Sequence, residues 1–196
     1  MQYTFGFYQA PAPRRPKRPE RLFFALQPDD ETSSRLDQMR QSFLDENNLR
    51  ETLLEKERFH LSLHLVGDYR RLRDKIVYAA TLAARSIVTP AFEVALHSIQ
   101  SFAGAPKRRR PLVLLAHSGA LPSFHEALGL AIQQQGFTVN SGFTPHVTMS
   151  YGSKPVPLQK IEPIRFIARD FVLIHSEVGL SRHTTLGRWP LKDQPI

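Results

Sequence analysis

The first structured signal along the chain is an unalternating run, Leu22-Phe23-Phe24-Ala25-Leu26, closed by Pro28, Asp29 and Asp30. So short an apolar run, bounded by turn residues, predicts a buried strand, with Asp29 or Asp30 capping a helix behind it. The helix shows itself at once: Leu36, Met39 and Phe43 recur at spacings of three and four on an otherwise polar stretch. A charged connector covers residues 45–58, and then the period changes to two. Along residues 59–66, Leu61, Leu63 and Leu65 fall on one side and His60, Ser62 and His64 on the other, which predicts a strand with one polar face. Gly67 and Asp68 close it. Residues 72–87 read as a second helix, stopped before Pro90.

The second half of the chain runs through a similar series. Residues 92–102 favour strand, residues 104–110 form a basic loop, and residues 111–116 are a buried strand. Pro122 and Ser123 then open a helix with Phe124, Leu128 and Ile132 on one face, ending near Gly136. Residues 143–151 are a second strand with a polar face: Val147, Met149 and Tyr151 point one way, His146, Thr148 and Ser150 the other. Residues 164–166, 171–176 and 182–190 read as closing strands. In each half a buried strand precedes an amphipathic helix, which precedes a His-x-hydroxyl strand. The two motifs stand about half of residues 21–196 apart, too long a period for a solenoid. The expected fold is therefore α+β: two pseudo-symmetric lobes, each an antiparallel sheet with helices outside, around a central cleft faced by His60 and His146. Residues 1–20, with Pro11, Pro13, Pro16 and Pro19 among Arg14, Arg15, Lys17 and Arg18, are expected to be a flexible basic arm, leaving residues 21–196 as a single bilobal domain.

Composition narrows the chemistry. The 196 residues carry 26 Lys and Arg against 18 Asp and Glu, a formal charge of +8, which favours a polyanionic partner. No cysteine occurs, so thiolate catalysis, disulfides and cysteine-type zinc sites are excluded. Phosphate-binding P-loop, dinucleotide-binding and serine-hydrolase motifs are also missing. His125-Glu126 opens like a metalloprotease helix but lacks its second histidine. No apolar run is long enough to span a bilayer, and the start of the chain offers Arg and Pro where a secretory signal needs an apolar segment, so the expected location is the cytoplasm.

The paired motifs carry the candidate chemistry. On a strand, a His and the hydroxyl two positions on project from one face about 6 to 7 Å apart, a spacing that brackets a phosphate. Two such pairs facing one cleft supply two imidazoles titrating near 6.5, one to act as base and one as acid, with two neutral hydroxyl donors. No metal or cofactor is required. Isolated strand histidines are ordinarily structural; it is the recurrence of His60-x-Ser62 and His146-x-Thr148 at half the ordered chain that marks a site.

At these residues the sequence resembles a known family. His60-Leu61-Ser62-Leu63, followed by His64-Leu65-Val66-Gly67, and Pro145-His146-Val147-Thr148-Met149 are similar to the paired His-x-Thr/Ser signatures of the 2H phosphoesterase superfamily, and within it of the 2′-5′ RNA ligases, also described as RNA 2′,3′-cyclic phosphodiesterases. The similarity runs from residue 21 to the closing Arg188-Trp189-Pro190-Leu191. The resemblance implies a two-lobed α+β fold that opens terminal 2′,3′-cyclic phosphates to 2′-phosphates and joins RNA ends through a 2′-5′ bond in reverse. It makes His60 and His146 the acid–base pair, with His60 the acid, and Ser62 and Thr148 phosphate-binding hydroxyls. His64, Ser150 and Tyr151 are further substrate-binding candidates. Ser62 replaces the commoner Thr, His64 and Tyr151 stand where many relatives place Arg, and His183 stands where a Tyr is usual. The expected partners are RNA ends or cyclic nucleotide phosphates, with no membrane association and a monomeric chain. Two alternatives use the same cleft: an RNA-binding module without turnover, and a phosphodiesterase for a small nucleotide or a 2′-5′ oligonucleotide.

Overall fold

A computed structural model describes residues 19–103, 109–140 and 142–192. The expected arm, apart from residues 19 and 20, lies outside the described residues, as does the stretch of the basic loop that includes Lys107 and Arg108.

The elements alternate much as their periodicity requires. Strand β1 (Glu20–Leu26) leads into helix α1 (Asp30–Glu46), and Asp29 caps that helix by accepting from the Thr32 amide at 2.7 Å. The charged connector holds a two-residue strand, β2 (Thr52–Leu53), and one 3₁₀ turn (Lys56–Arg58) before β3 (Leu61–Tyr69) and α2 (Asp74–Arg85). The second half runs β4 (Phe92–Ser101), β5 (Arg110–His117), α3 (Leu121–Gln134) and β6 (His146–Gly152). Strands β7 (Gln159–Ala168), β8 (Asp170–Glu177) and β9 (Arg182–Pro190) complete it.

The expected α+β class and antiparallel pairing are both present. The strands form one sheet in the order β7-β4-β5-β6-β3-β1-β8-β9, with β2 on β6. Its halves, β7-β4-β5-β6 and β3-β1-β8-β9, meet between β6 and β3 at the single pair Leu61↔Val147.

The main core fills the space between one face of the sheet and the helices. Leu22, Phe24 and Leu26 of β1 meet Leu36 and Phe43 of α1, Ala80 and Ala83 of α2, and Phe124 and Leu128 of α3 in that core. Phe23 and Ala25 turn to the opposite face and join Val172 and Ile174 of β8 in a second, smaller cluster. The unalternating run of β1 is thus explained: a central strand covered on both sides has no polar face to show.

Candidate active site

The seam between the halves sets the geometry of the site. In an antiparallel ladder the residues on either side of a matched pair are matched crosswise, so Leu61↔Val147 puts His60 across from Thr148 and Ser62 across from His146. Leu61 and Val147 are fully buried toward the core, which turns the four polar side chains to the other face. Opposed residues have Cβ atoms about 5 Å apart and diagonal ones about 7 to 8 Å, so His60, Thr148, His146 and Ser62 outline a small quadrilateral with the imidazoles on one diagonal.

Both rings are oriented in the same way. His60 Nδ1–H donates to the Arg58 carbonyl at 2.7 Å, and His146 Nδ1–H donates to the Thr144 carbonyl at 2.6 Å, each two residues back. Holding the Nδ1 proton on a carbonyl fixes the tautomer and leaves Nε2 for a ligand. Phe23 lies 5.2 Å from the His60 ring and Phe102 stands edge-on to His146 at 4.8 Å, so each imidazole also has an aromatic neighbour.

Two of the sequence-predicted residues do not reach this face. The alternation that assigned them breaks where each motif strand carries a β-bulge. Against β1, Ala25 pairs with Ser62 but Phe23 with Leu65, so β3 holds one extra residue there. Against β5, Val113 pairs with Thr148 but Leu112 with Ser150, and Met149 is the extra residue. One inserted residue reverses every side chain beyond it. His64 and Ser150, expected at the substrate, therefore turn inward and are 4% and 0% exposed. Leu65, expected in the core, is 48% exposed and lines the cleft. Tyr151, placed by its alternation with the apolar positions and by family position at the substrate, also lines the cleft.

The inward residues have structural partners. His64 stacks on His125 of α3 at 3.8 Å, and His125 stacks on Phe143 at 3.7 Å. His64 Nε2–H donates to the His125 carbonyl at 2.7 Å, and His125 Nε2–H returns a bond to the Leu63 carbonyl at 3.2 Å. Gly129 makes room for this: a Cβ there would come within 3.1 Å of the His64 ring. Ser150 Oγ–H donates to Glu51.

Burial pushes the His125 ring down to about 4, with His64 adding to the effect, and burial also lowers His64. An unfolded histidine titrates near 6.5. Between those values the unfolded chain binds more protons than the folded one, so stability rises with pH across the window and is lost as pH falls from 6.5 toward 4. The urea midpoint is expected to hold at neutral pH and to drop through that window. His125→Gln, which keeps a donor for Leu63 without a titrating ring, should reduce the slope but not abolish it, since His183 and His60 are lowered too; an unchanged slope would remove the buried pair as a source.

The cleft has a volume of about 470 Å³ and is lined by His60, Ser62 and Thr148 together with Arg21, Phe23, Arg58 and His183. Arg58 was hidden in the charged connector, although the parity of 58, 60 and 62 extends the polar face of the strand backwards. Arg21 is engaged by Asp68 through two bonds of 2.7 and 2.8 Å. Burial lowers the pKa of His60 most, and the positive charges of Arg58 and His146 lower it further. His183 is pushed down to about 4 by burial, then by His60 and Arg58. Among the described residues, no group of three or more His, Asp or Glu side chains is placed to hold a metal ion.

The seam thus brings together two oriented imidazoles, two hydroxyls and a guanidinium, with His146 across from Ser62 but outside the residues that line the cleft itself. The sequence profile of the 2′-5′ RNA ligase superfamily matches residues 28–179. Among curated proteins none matches the sequence. Among solved structures the chain is similar to E. coli LigT in apo form, at 24% identity and a TM-score of 0.65 over 90% of this chain and 100% of that one. It is likewise similar to TT0787 of Thermus thermophilus, at 18% identity and a TM-score of 0.71 over 89% of this chain and 100% of that one. E. coli LigT complexed with phosphate matches at 23% identity and a TM-score of 0.62, over 90% of this chain and 100% of that one.

Proposed function

The chain belongs to the 2′-5′ RNA ligase superfamily, and we propose that it is a two-histidine phosphodiesterase that opens the 2′,3′-cyclic phosphate at an RNA end to a 2′-phosphate, with 2′-5′ joining as the reverse reaction. The observation that carries this reading is the matched pair of rings, each held at Nδ1 by the carbonyl two residues back and each set across from the other motif's hydroxyl. Water attacks phosphorus opposite the 3′ oxygen. One Nε2 takes the water proton; the other gives a proton to the departing 3′ oxygen, so that the P–O3′ bond breaks as the new P–O bond forms. Ser62 and Thr148 donate to the non-bridging oxygens, where charge builds in the transition state. E. coli LigT, which shares this fold, has been crystallised in complex with phosphate.

Following the family resemblance, His60 is the acid and His146 the base. Because His60 is lowered below 6.5 in the unliganded protein, kcat/KM is expected to fall as pH rises through that lowered value, since the acid is then deprotonated before substrate binds. A bound phosphodiester anion offsets Arg58 and raises the ring, so kcat should hold to higher pH. A kcat/KM that rises across the same window would give His60 the base role instead.

The reading is tested by incubating the protein with 2′,3′-cyclic nucleotides and with RNA bearing a 2′,3′-cyclic end, in EDTA, and identifying the product by ³¹P NMR. A 2′-phosphate from either substrate supports it, and the ratio of kcat/KM values separates RNA ends from small nucleotides as the preferred class. Salt-sensitive RNA binding without product would replace it with the RNA-binding module.

A further inference from the structure

One cation in the cleft lacks an anion. Arg21, the other arginine lining the cleft, is engaged by Asp68. Arg58 has no carboxylate partner among the described residues, and its Nε is buried with no hydrogen-bond partner. A buried N–H on a charged group is costly to leave unsatisfied, and Arg40 Nε shares that state inside the core. What singles out Arg58 is that its side chain also lines the cleft, where a ligand can reach the guanidinium.

The side chain is nevertheless held. Its Nη2 lies 3.3 Å from His183 Nε2. An arginine can only donate, so Nη2–H donates and His183 accepts, which requires the neutral ring with its proton on Nδ1. His183 in turn stands edge-on to His60 at 5.4 Å and to Phe23 at 5.9 Å. The main chain of Arg58 is tied to the same spot, because its carbonyl is the acceptor that orients His60. Residue 58 thus fixes one imidazole with its backbone and sets a guanidinium beside it with its side chain. Tyr151 and the buried His64 provide no cation at the positions where many relatives carry one.

We propose that Arg58 is the residue that binds the substrate's phosphate oxygens in this chain, and that His183 is the positioning residue that aims it. The proposal rests on the phosphodiesterase reading for its substrate class, while its core, a phosphate site built on Arg58, can be measured without turnover. The remaining Nη1–H and Nη2–H groups suit two oxygens of one phosphate, a match an ammonium cannot reproduce.

The experiment measures the dissociation constants of inorganic phosphate and of a 2′-nucleotide by calorimetry, with kcat and KM for a 2′,3′-cyclic nucleotide, on wild type, Arg58→Ala, Arg58→Lys, His183→Phe and His183→Gln. Arg58→Ala should weaken 2′-nucleotide binding by roughly 10- to 100-fold, as for loss of a charge-assisted bond, and raise KM in step, with Arg58→Lys recovering only part. His183→Phe keeps the ring but not the acceptor and should weaken binding several-fold through KM. His183→Gln, whose amide oxygen can accept from Nη2, should restore it. Binding within twofold of wild type in Arg58→Ala overturns the proposal, and failure of His183→Gln to improve on His183→Phe removes the positioning role. Should a variant melt early, phosphate titrated into wild type must still move the Arg58 Nε–H resonance, identified by its loss in Arg58→Lys. A wild type that binds phosphate through Arg58 without turning over either the cyclic nucleotide or RNA bearing a 2′,3′-cyclic end ends the phosphodiesterase reading and leaves the anion site standing.

Discussion

With His60→Ala or His146→Ala, turnover of a 2′,3′-cyclic nucleotide is expected to fall by roughly 10²- to 10⁴-fold in kcat, the usual share of a general acid or base. The two losses should not multiply. Each ring completes a proton transfer that the other begins, so the double variant is expected to be only slightly slower than the worse single one. Folding should survive, because both side chains are only partly buried, unlike His64 and His125. KM should change little compared with kcat, since the hydroxyls of Ser62 and Thr148 and the guanidinium of Arg58 remain to bind the anion. The assay is a steady-state comparison in excess EDTA, with thermal melts as the control. Full activity in either variant would end the two-histidine mechanism, and loss of wild-type activity to EDTA would point to a metal enzyme.

The paired motifs were legible because the chemistry and the period coincide there. From His60 to Ser62 and from His146 to Thr148 the side chains alternate as regular strands do, and the hydroxyl two residues on shares the face of its histidine. The strand residues beyond each motif were not legible. Residues 59–66 alternate strictly in sequence, yet β3 does not alternate in space, because an inserted residue changes a strand's phase without leaving a mark in composition. The same miss occurred at Ser150 in the second strand, for the same reason. The unalternating run of β1 was readable as a buried strand; the closing order β1-β8-β9 was not, since β8 pairs with β1, a strand far away in sequence. Arg58 was overlooked because it sits in a stretch whose many charges gave no reason to prefer one.

The repeat extends to the groups that support the bulges. A bulge frees backbone groups from the ladder, and buried ones need other partners. At β3 the Leu63 carbonyl is met by His125 of α3, and at β6 the Met149 carbonyl is met by Arg40 of α1. The helix that comes after the first strand thus braces the second motif, and the helix of the second half braces the first. This cross-bracing ties the two sides of the seam together where β3 and β6 share a single matched pair.

Arg40 makes the stronger demand of the two braces, and its replacement carries the largest expected cost to stability. It lies on the inward side of α1 and is 5% exposed, where helical period alone placed only Leu36, Met39 and Phe43. Its Nη1 donates to the Leu54 carbonyl at 2.5 Å and to the Met149 carbonyl at 3.0 Å, its Nη2 to Asp37, and its guanidinium lies 5.3 Å from the centre of the Phe59 ring. Arg40→Met retains most of the volume and removes every donor. The Met149 carbonyl keeps a bond from the Leu54 amide at 3.3 Å, whereas the Leu54 carbonyl loses its bond from the guanidinium. With about 1 to 3 kcal/mol for a buried acceptor left without its partner, the loss should be about 1 to 3 kcal/mol in a urea titration read at constant slope. Arg40→Lys, which keeps a charge but cannot span two carbonyls and a carboxylate, should fall between. Asp37→Asn should cost far less, because Asp37 is 40% exposed and water can take its place. The cleft should feel the change before the fold gives way: once the β6 bulge relaxes, Thr148 and Tyr151 on either side of Met149 lose their fixed aim. At a temperature where Arg40→Met is still folded, kcat/KM is therefore expected to drop while that of Asp37→Asn does not. Equal stability of Arg40→Met and wild type would show that the bulge needs no brace.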